Sequence, residues 1–503
     1  MGQLSHAQRV RERPVIDIVW FKRDLRIRDH APLAGAAADP APGGVVYLYV
    51  YEPELLHHPT HHAAHLRVVN EALAELRDDL RERGAELTLR VGSMPNVLAL
   101  LQTEVGPIRT LRSHQETGHG VSYARDRRVR AWCKANRVAW TESEQDGVQR
   151  GLRHRDGWAA RWARAMDAPE IVVPARVPPN PDTDPGPLLS AAELGLQGAS
   201  MPDALAGGRR AAEARLASFL DARGRDYTAA MASPVAGWDA CSRVSVDLAV
   251  GTLSLKVARQ AAGARAREVR GDALWSRSLR SFERRLAWRS HFMQKLESEP
   301  AIEYRATNRA LDDLRADTWD EARFAAWRDG QTGYPLIDAG MRALAAGGWV
   351  NFRLRATLVS FATYHLWLDW RPVATVLARR FIDFEPGIHY PQVHMQAGVT
   401  GVNTIRIYNP WKQASDVDSD GVFVRRWVPE LADVPAPWHR RPHEAPPLVR
   451  MLIGDYPPPI VDHVSAYRSA RDRVYAAKRR PEVRREAARV LARHVAGGGR
   501  GRR

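Results

Sequence analysis

The sequence predicts a doubly wound α/β domain followed by a mostly α-helical one, on three observations. Between residues 15 and 150, short apolar runs alternate with helical patterns, as a parallel sheet covered on both faces requires. From Gly151 to Gly208 the prolines at 169, 174, 178, 179, 181, 185 and 187 leave no room for regular elements, which marks a surface connector. Beyond it, apolar residues recur at helical steps with few β signals, giving a helical domain over 209–480 and a basic, flexible tail over 481–503. A chain of 503 residues is also too long for one core.

The first apolar run, Val15–Phe21, ends in Lys22-Arg-Asp-Leu-Arg26, placing charge at the carboxyl end of a strand, where open α/β sheets bind ligands. No Gly-x-Gly-x-x-Gly follows, so a dinucleotide site of the usual kind is not expected. Runs at Gly44–Tyr51, Glu86–Gly92, Ile108–Ser113 and near Ala139 predict the remaining strands. Leu66–Arg83, Val97–Glu104 and Ser122–Asn136 predict helices between them. In the second half, helices are predicted over Arg210–Arg223, Leu248–Ala262, Leu274–Glu297, Trp319–Asp329, Pro335–Ala346, Trp349–Trp370 and Val373–Phe381. The stretch from Asp383 to Asn403 is expected to be an irregular segment crowded with polar groups. The tail reads as a basic helix fraying into solvent.

Lys and Arg outnumber Asp and Glu by 74 to 58, a net charge of +16 that fits a polyanionic partner. Two distant cysteines, Cys133 and Cys241, exclude a disulfide framework and a cluster held by four thiolates, and their spacing suits no metal. The polar N-terminus and the lack of any apolar run of about 18 residues predict a cytoplasmic protein, without a membrane partner, acting as a monomer.

Three places could carry chemistry. Ser242, Arg243 and Ser245 precede an apolar helix, so hydroxyls, a guanidinium and free backbone N–H groups converge there, as for a phosphate; an ordinary Ser N-cap is the plainer reading. Phe282, Arg285, Arg289 and Phe292, with Trp288 one turn beyond Arg285, set cations and aromatics on one helix side, which suits a π-system bearing phosphates. Arg353 and Arg355 lie one turn into the Trp349–Trp370 helix, where an arginine has nothing to gain from the macrodipole. They need an anion or a carboxylate, and Asp383 and Glu385 are the candidates.

These motifs reach further. Val19-Trp-Phe-Lys-Arg-Asp-Leu-Arg-Ile-Arg-Asp-His, Ser242-Arg-Val-Ser, Thr332-Gly-Tyr-Pro-Leu-Ile-Asp-Ala-Gly-Met-Arg, Gly348-Trp with Arg353-Leu-Arg, Arg406-Ile-Tyr-Asn-Pro and Arg426-Trp-Val-Pro-Glu-Leu together resemble the DNA photolyase and cryptochrome family, in its order and over nearly the whole chain. The resemblance implies an N-terminal antenna domain and a helical domain that buries FAD, whose light-excited reduced form donates an electron to a pyrimidine dimer flipped out of UV-damaged DNA. It implies that Tyr227, Ser242, Arg243, Val244 and Ser245 hold the FAD phosphates, and that Phe282, Arg285 and Arg289 line the cofactor cavity. Arg355 would pair with Asp383 beside the isoalloxazine, and Asp383 and Glu385 would reach the flavin ring and ribose. Trp288 would stack on the extruded lesion. A second antenna chromophore, a folate, a deazaflavin or a flavin, is implied too, with Glu116 placed to contact a folate.

The departures from the family pattern bear on the substrate. Arg285 stands where many cyclobutane-dimer photolyases have glutamate, Phe352 replaces an asparagine and Ala356 a methionine, and the usual segment around the flavin is rewritten as His389-Tyr-Pro-Gln-Val-His-Met-Gln396. Trp370 survives as the middle relay of the photoreduction chain, and Tyr390 is the aromatic that would replace its first member. His291, His389 and His394 are added where those groups vanish, and histidine is the side chain able to supply the proton that (6-4) repair needs. Cyclobutane-dimer repair is the expected activity, with (6-4) repair close behind and a cryptochrome-like photoreceptor without repair as the alternative.

Overall fold

The computed structural model describes residues 13–316 and 318–497. Five strands form one all-parallel sheet: β1 (Ile16–Phe21), β2 (Val45–Tyr51), β3 (Leu87–Val91), β4 (Ile108–His114) and β5 (Ala139–Ser143). Their order is β3-β2-β1-β4-β5, with Val19 opposite Tyr47 on one side and Arg112 on the other. β1 is apolar apart from Asp17 and wholly buried, as a central strand covered on both faces must be. Leaving single turns aside, helices α1 (Ala31–Ala38), α2 (Ala63–Arg81), α3 (Met94–Val105) and α4 (Gly120–Ala135) cover the faces. The chain winds outward from β1 in both directions, so the switch point lies between β1 and β4. The Lys22–Arg26 charges and the loop after His114 meet there.

The connector carries one helix that its prolines concealed, α5 (Trp158–Asp167), an amphipathic segment that buries Trp158, Trp162 and Met166 against the helical domain. That domain contains α6 (Arg209–Asp221), α7 (Ser245–Val250), α8 (Leu255–Glu268), α9 (Ala273–Ser298), α10 (Glu321–Asp329) and α11 (Pro335–Gly347). It continues with α12 (Phe352–Ser360), α13 (Trp370–Arg380), α14 (Pro386–Ala397), α15 (Pro410–Val417), α16 (Val422–Trp427), α17 (His463–Arg479) and α18 (Pro481–His494). Among the described residues, no helix is long and apolar enough to cross a membrane.

Three expectations are corrected. The single helix expected over Trp349–Trp370 is broken: α12 gives way to one π-helical turn over Phe361–His365, and Trp367 adopts a left-handed φ of 55° before Asp369 caps α13. The buried Arg315 guanidinium draws off the Thr363 carbonyl at 2.7 Å, and the ladder shifts to Leu366 N–H donating to Phe361 O. The segment after Asp383 is no loop, since α14 occupies it. Glu385 caps it by accepting from Gly387 N–H and Pro386 takes the first turn, where its missing N–H costs nothing. Gly387 is needed there, since a Cβ would lie 2.7 Å from Met293 Cα of α9.

The tail is not a flexible terminus over the described part of 481–503. α18 buries Val483 and Val490, its Val483 carbonyl accepts from Asn308 Nδ2 at 2.9 Å, and His494 Nε2 bonds Glu299 Oε2 at 2.7 Å. Its polarity in sequence hid a narrow apolar stripe that the domain covers. Residues 498–503 lie outside the described residues.

The two domains meet along the 22–29 loop. Leu25 N–H donates to Val250 O and Arg26 Nη1 to Gly251 O at 3.0 Å. Gly251 has φ of 81°, and a Cβ there would sit 2.2 Å from Arg23 O, so only glycine allows this docking.

Candidate functional site

The site is built where α7, α9, α12 and the start of α14 converge, and arginine dominates it. Burial pushes the Cys241 thiol up to about 11 against the opposing pull of the Arg243, Arg223, Arg285 and Arg355 charges. Arg355 has a carboxylate: its Nη1 and Nη2 donate to the two Asp383 oxygens at 2.9 Å each, a bidentate pair. Arg285 has none; its Nη2 lies 3.9 Å from Met231 Sδ, and its guanidinium stacks 4.7 Å from Trp288 and 5.4 Å from Phe352.

Arg243 stacks on Trp238 at 4.7 Å, from a left-handed φ of 59°. Its Nε is buried without a partner among the described residues, as are Arg289 Nε and Ser290 Oγ. Buried donors are nearly always satisfied, so these orphaned groups amid concentrated positive charge fit an anionic ligand.

The remaining site residues sort by their neighbours. Tyr227, Val244 and Phe282 lie in one buried cluster with Leu248 and Leu286, Phe282 packing on Phe219 at 4.8 Å, and burial pushes Tyr227 up to about 12. The plainer reading of the serines does not hold. Val244 occupies the N-cap of α7 and no side chain caps it, while Ser245 Oγ accepts from Trp349 Nε1 at 3.3 Å. Arg289 is pinned, its Nη2 donating to Leu248 O at 2.8 Å and to Glu385 Oε2 at 3.1 Å. Arg353 finds no carboxylate here and stacks over Tyr408 at 5.7 Å.

Sequence reasoning missed Arg23, which reaches from the first domain to Glu385 at 2.9 Å and to the Phe384 carbonyl at 3.2 Å. The charge run after β1 was the available signal, read there as lining the cleft of the first domain. Asp146, 3.8 Å from Arg289 and raised by burial, was missed as well, and nothing in its sequence context marked it.

His389 and His394 are buried and His291 is partly buried, and desolvation lowers all three: His389 to about 4, His394 to about 3 and His291 to about 3. His389 Nε2 lies 2.9 Å from the Ala374 carbonyl, which can only accept, so that nitrogen carries the proton. His394 Nδ1 pairs with Thr307 Oγ1 at 2.8 Å, and its ring stands edge-on to Trp370 at 4.2 Å. Tyr390 packs against His389 at 5.4 Å. At the switch point of the sheet, Glu116 is held by Arg125 at 2.5 Å, in a buried cluster with Glu52 and Asp126.

An α/β domain feeding a helical domain with an arginine-rich site suits an anionic cofactor, and comparison makes the class specific. Residues 17–150 match the family model described as DNA photolyase, and residues 282–476 that of the FAD binding domain of DNA photolyase. A cryptochrome DASH of Gloeobacter violaceus is 30% identical, the match covering 88% of this chain and 93% of that protein. A deoxyribodipyrimidine photo-lyase of Streptomyces griseus is 31% identical over 90% and 97% of the two chains. The crystal structure of a bacterial class III photolyase from Agrobacterium tumefaciens superposes with a TM-score of 0.80 at 26% identity, covering 95% of this chain and all of that one. The chain belongs to the DNA photolyase and cryptochrome family and carries its FAD-binding domain.

Proposed function

We propose that the protein is a DNA photolyase that uses blue light and FAD to split cyclobutane pyrimidine dimers. The observation that carries this reading is the aromatic pair at the mouth of the site. Trp288 is 50% and Phe352 45% exposed, with the Arg285 guanidinium between them. Large aromatics left in water beside a cation suit a base extruded from DNA and the phosphate that travels with it. Bound FAD supplies the photochemistry. The chain's part is to hold the cofactor's phosphates with Arg243 and the α7 approach, to fix the ring with the Arg355–Asp383 pair, and to shield it with the buried His389 and His394. Trp370 and Tyr390 are the proposed relay for reducing it.

Cyclobutane dimers are preferred to (6-4) products because burial holds His389 and His394 neutral near pH 7, so neither offers an imidazolium proton. A second chromophore is proposed in the first domain. Glu116 gives its Oε2 to Arg125 and keeps its Oε1 for a folate or another chromophore.

Purified holoprotein, reduced and illuminated, should restore cyclobutane dimers in duplex DNA and leave (6-4) products. Trp288→Ala should cut repair roughly 5- to 150-fold through weakened binding, since base stacking contributes about 1–3 kcal/mol. Light-dependent flavin reduction with repair of neither lesion would replace this reading with that of a photoreceptor.

A further inference from the structure

Between the two domains, three side chains with the chemistry of metal ligands converge. His58 follows β2, His119 follows β4, and Glu303 belongs to the turn after α9. His119 Nδ1 lies 3.0 Å and His58 Nε2 3.8 Å from Glu303 Oε1, and all three donor atoms fall within 4.8 Å of one another. Ligands bound tetrahedrally at about 2.0–2.1 Å stand about 3.3 Å apart, so these separations bracket what a zinc ion requires.

The hydrogen bonds around the cluster say more than the distances. The other nitrogen of each ring meets one hydroxyl: Thr60 Oγ1 is 2.7 Å from His58 Nδ1 and 3.1 Å from His119 Nε2. That hydroxyl has a single proton to donate. With both rings neutral, at least one of them must direct its own N–H at Thr60, and that ring then turns a bare lone pair towards Glu303. If the proton sits on His58, its Nε2 lone pair faces a carboxylate too far for a hydrogen bond. If Thr60 donates to His58 instead, as the Thr60 N–H at 3.4 Å from Nδ1 would favour, the bare lone pair is that of His119 at 3.0 Å.

The three donor atoms thus face one another across a gap of cation size, while one hydroxyl braces the far side of both rings. His61, three residues after His58, has a buried Nε2 with no partner among the described residues.

We propose that this seam is a binding site for a divalent transition metal of the zinc type. His58 Nε2, His119 Nδ1 and Glu303 Oε1 are its ligands, His61 or a water is the fourth, and Thr60 orients both rings by accepting their remaining N–H bonds. Two ligands come from the first domain and one from the second, so the ion clamps the domains together. It lies beside Phe384 and Tyr390, whose rings are 5.3 and 6.3 Å from His119.

The test uses FAD-loaded protein stripped with chelator and titrated with ZnCl2, read by calorimetry and by metal analysis after gel filtration. The expected result is one zinc per chain, with a rise in the unfolding midpoint. Glu303→Gln, which still accepts from the Gly120 N–H, and His58→Gln should each weaken binding at least 100-fold while flavin content is unchanged. Thr60→Val, which removes only the orienting hydroxyl, should weaken it about 10- to 100-fold. Failure to retain zinc, or binding that is equal in all three variants, overturns the proposal; the former would mean that a proton fills the gap. Repair activity is not the readout, so loss of the photolyase reading would leave this result standing.

Discussion

Two arginine-bearing regions of the helical domain look alike in sequence and differ in what their polar groups do. Around Thr332–Arg342 every charge is answered within the protein. The buried Asp338 carboxylate accepts from Thr332 N–H, Thr332 Oγ1, Gly333 N–H and Tyr456 Oη, at 2.5–3.0 Å. Arg342 forks onto both oxygens of Glu430 at 2.7 and 2.9 Å. The second region, around Arg243, Arg285 and Arg289, pairs Arg289 with Glu385 but leaves Arg243 and Arg285 without a carboxylate, and the Nε groups of Arg243 and Arg289 unanswered, among the described residues. Both regions lie in family motifs, so motif membership alone does not distinguish a residue that binds from one that holds the binder in place. Satisfaction of hydrogen bonds does.

The comparison can be broken most severely at Asp338. Asp338→Ala leaves three or four buried donors without an acceptor, at about 1 kcal/mol or more each, so a stability loss of roughly 3–4 kcal/mol is expected in denaturant titration. Protein that does fold should still bind FAD with nearly normal affinity, because Asp338 faces its own loop and Tyr456. A normal midpoint would show that the closed network contributes little. The open region should respond in the opposite way. Arg243→Gln removes a charge that has no carboxylate to lose, so the FAD-free protein should keep its stability within about 0.5 kcal/mol. FAD affinity, read by release of flavin fluorescence, should fall roughly 10- to 100-fold, the range for a charge-assisted hydrogen bond of about 1.5–3 kcal/mol. Unchanged retention would remove Arg243 from the phosphate site.

The sequence made these two regions unequally legible. The sheet was readable because its strands are apolar runs bounded by charge and glycine, and a central parallel strand has no other way to look. The Arg355–Asp383 pair was readable because an arginine one turn into a helix needs an anion. What hid was tertiary. Nothing local announces that Arg315, some 48 residues away, will take the Thr363 carbonyl and break a helix. Nor does a short charged run after β1 reveal that Arg23 crosses the domain boundary to Glu385. The helix over Pro386–Ala397 was concealed by Pro391 and by histidines that read as loop residues until their burial is known. Conversely, the motif at Thr332–Arg342 is visible in the sequence, but not that its charges are closed among themselves.

The smallest effect tests whether the Arg342–Glu430 pair belongs to the closed region in energy as well as in geometry. Both side chains keep some contact with water, at 19% and 26% exposure, so screening limits the pair to about 1 kcal/mol. The hydrogen bond from Arg342 holds the Glu430 carboxyl below its ordinary value of 4.5, against the smaller opposing effect of burial. A carboxyl with a lowered folded-state pKa adds stability above its unfolded value and loses it as pH falls through the folded one. Glu430→Gln should therefore be about 1 kcal/mol less stable than the parent at pH 7, and the two should converge below about pH 4. A deficit that persists undiminished in acid would mean that Glu430 works through packing of its stem against α11, and that the region is closed by shape more than by charge.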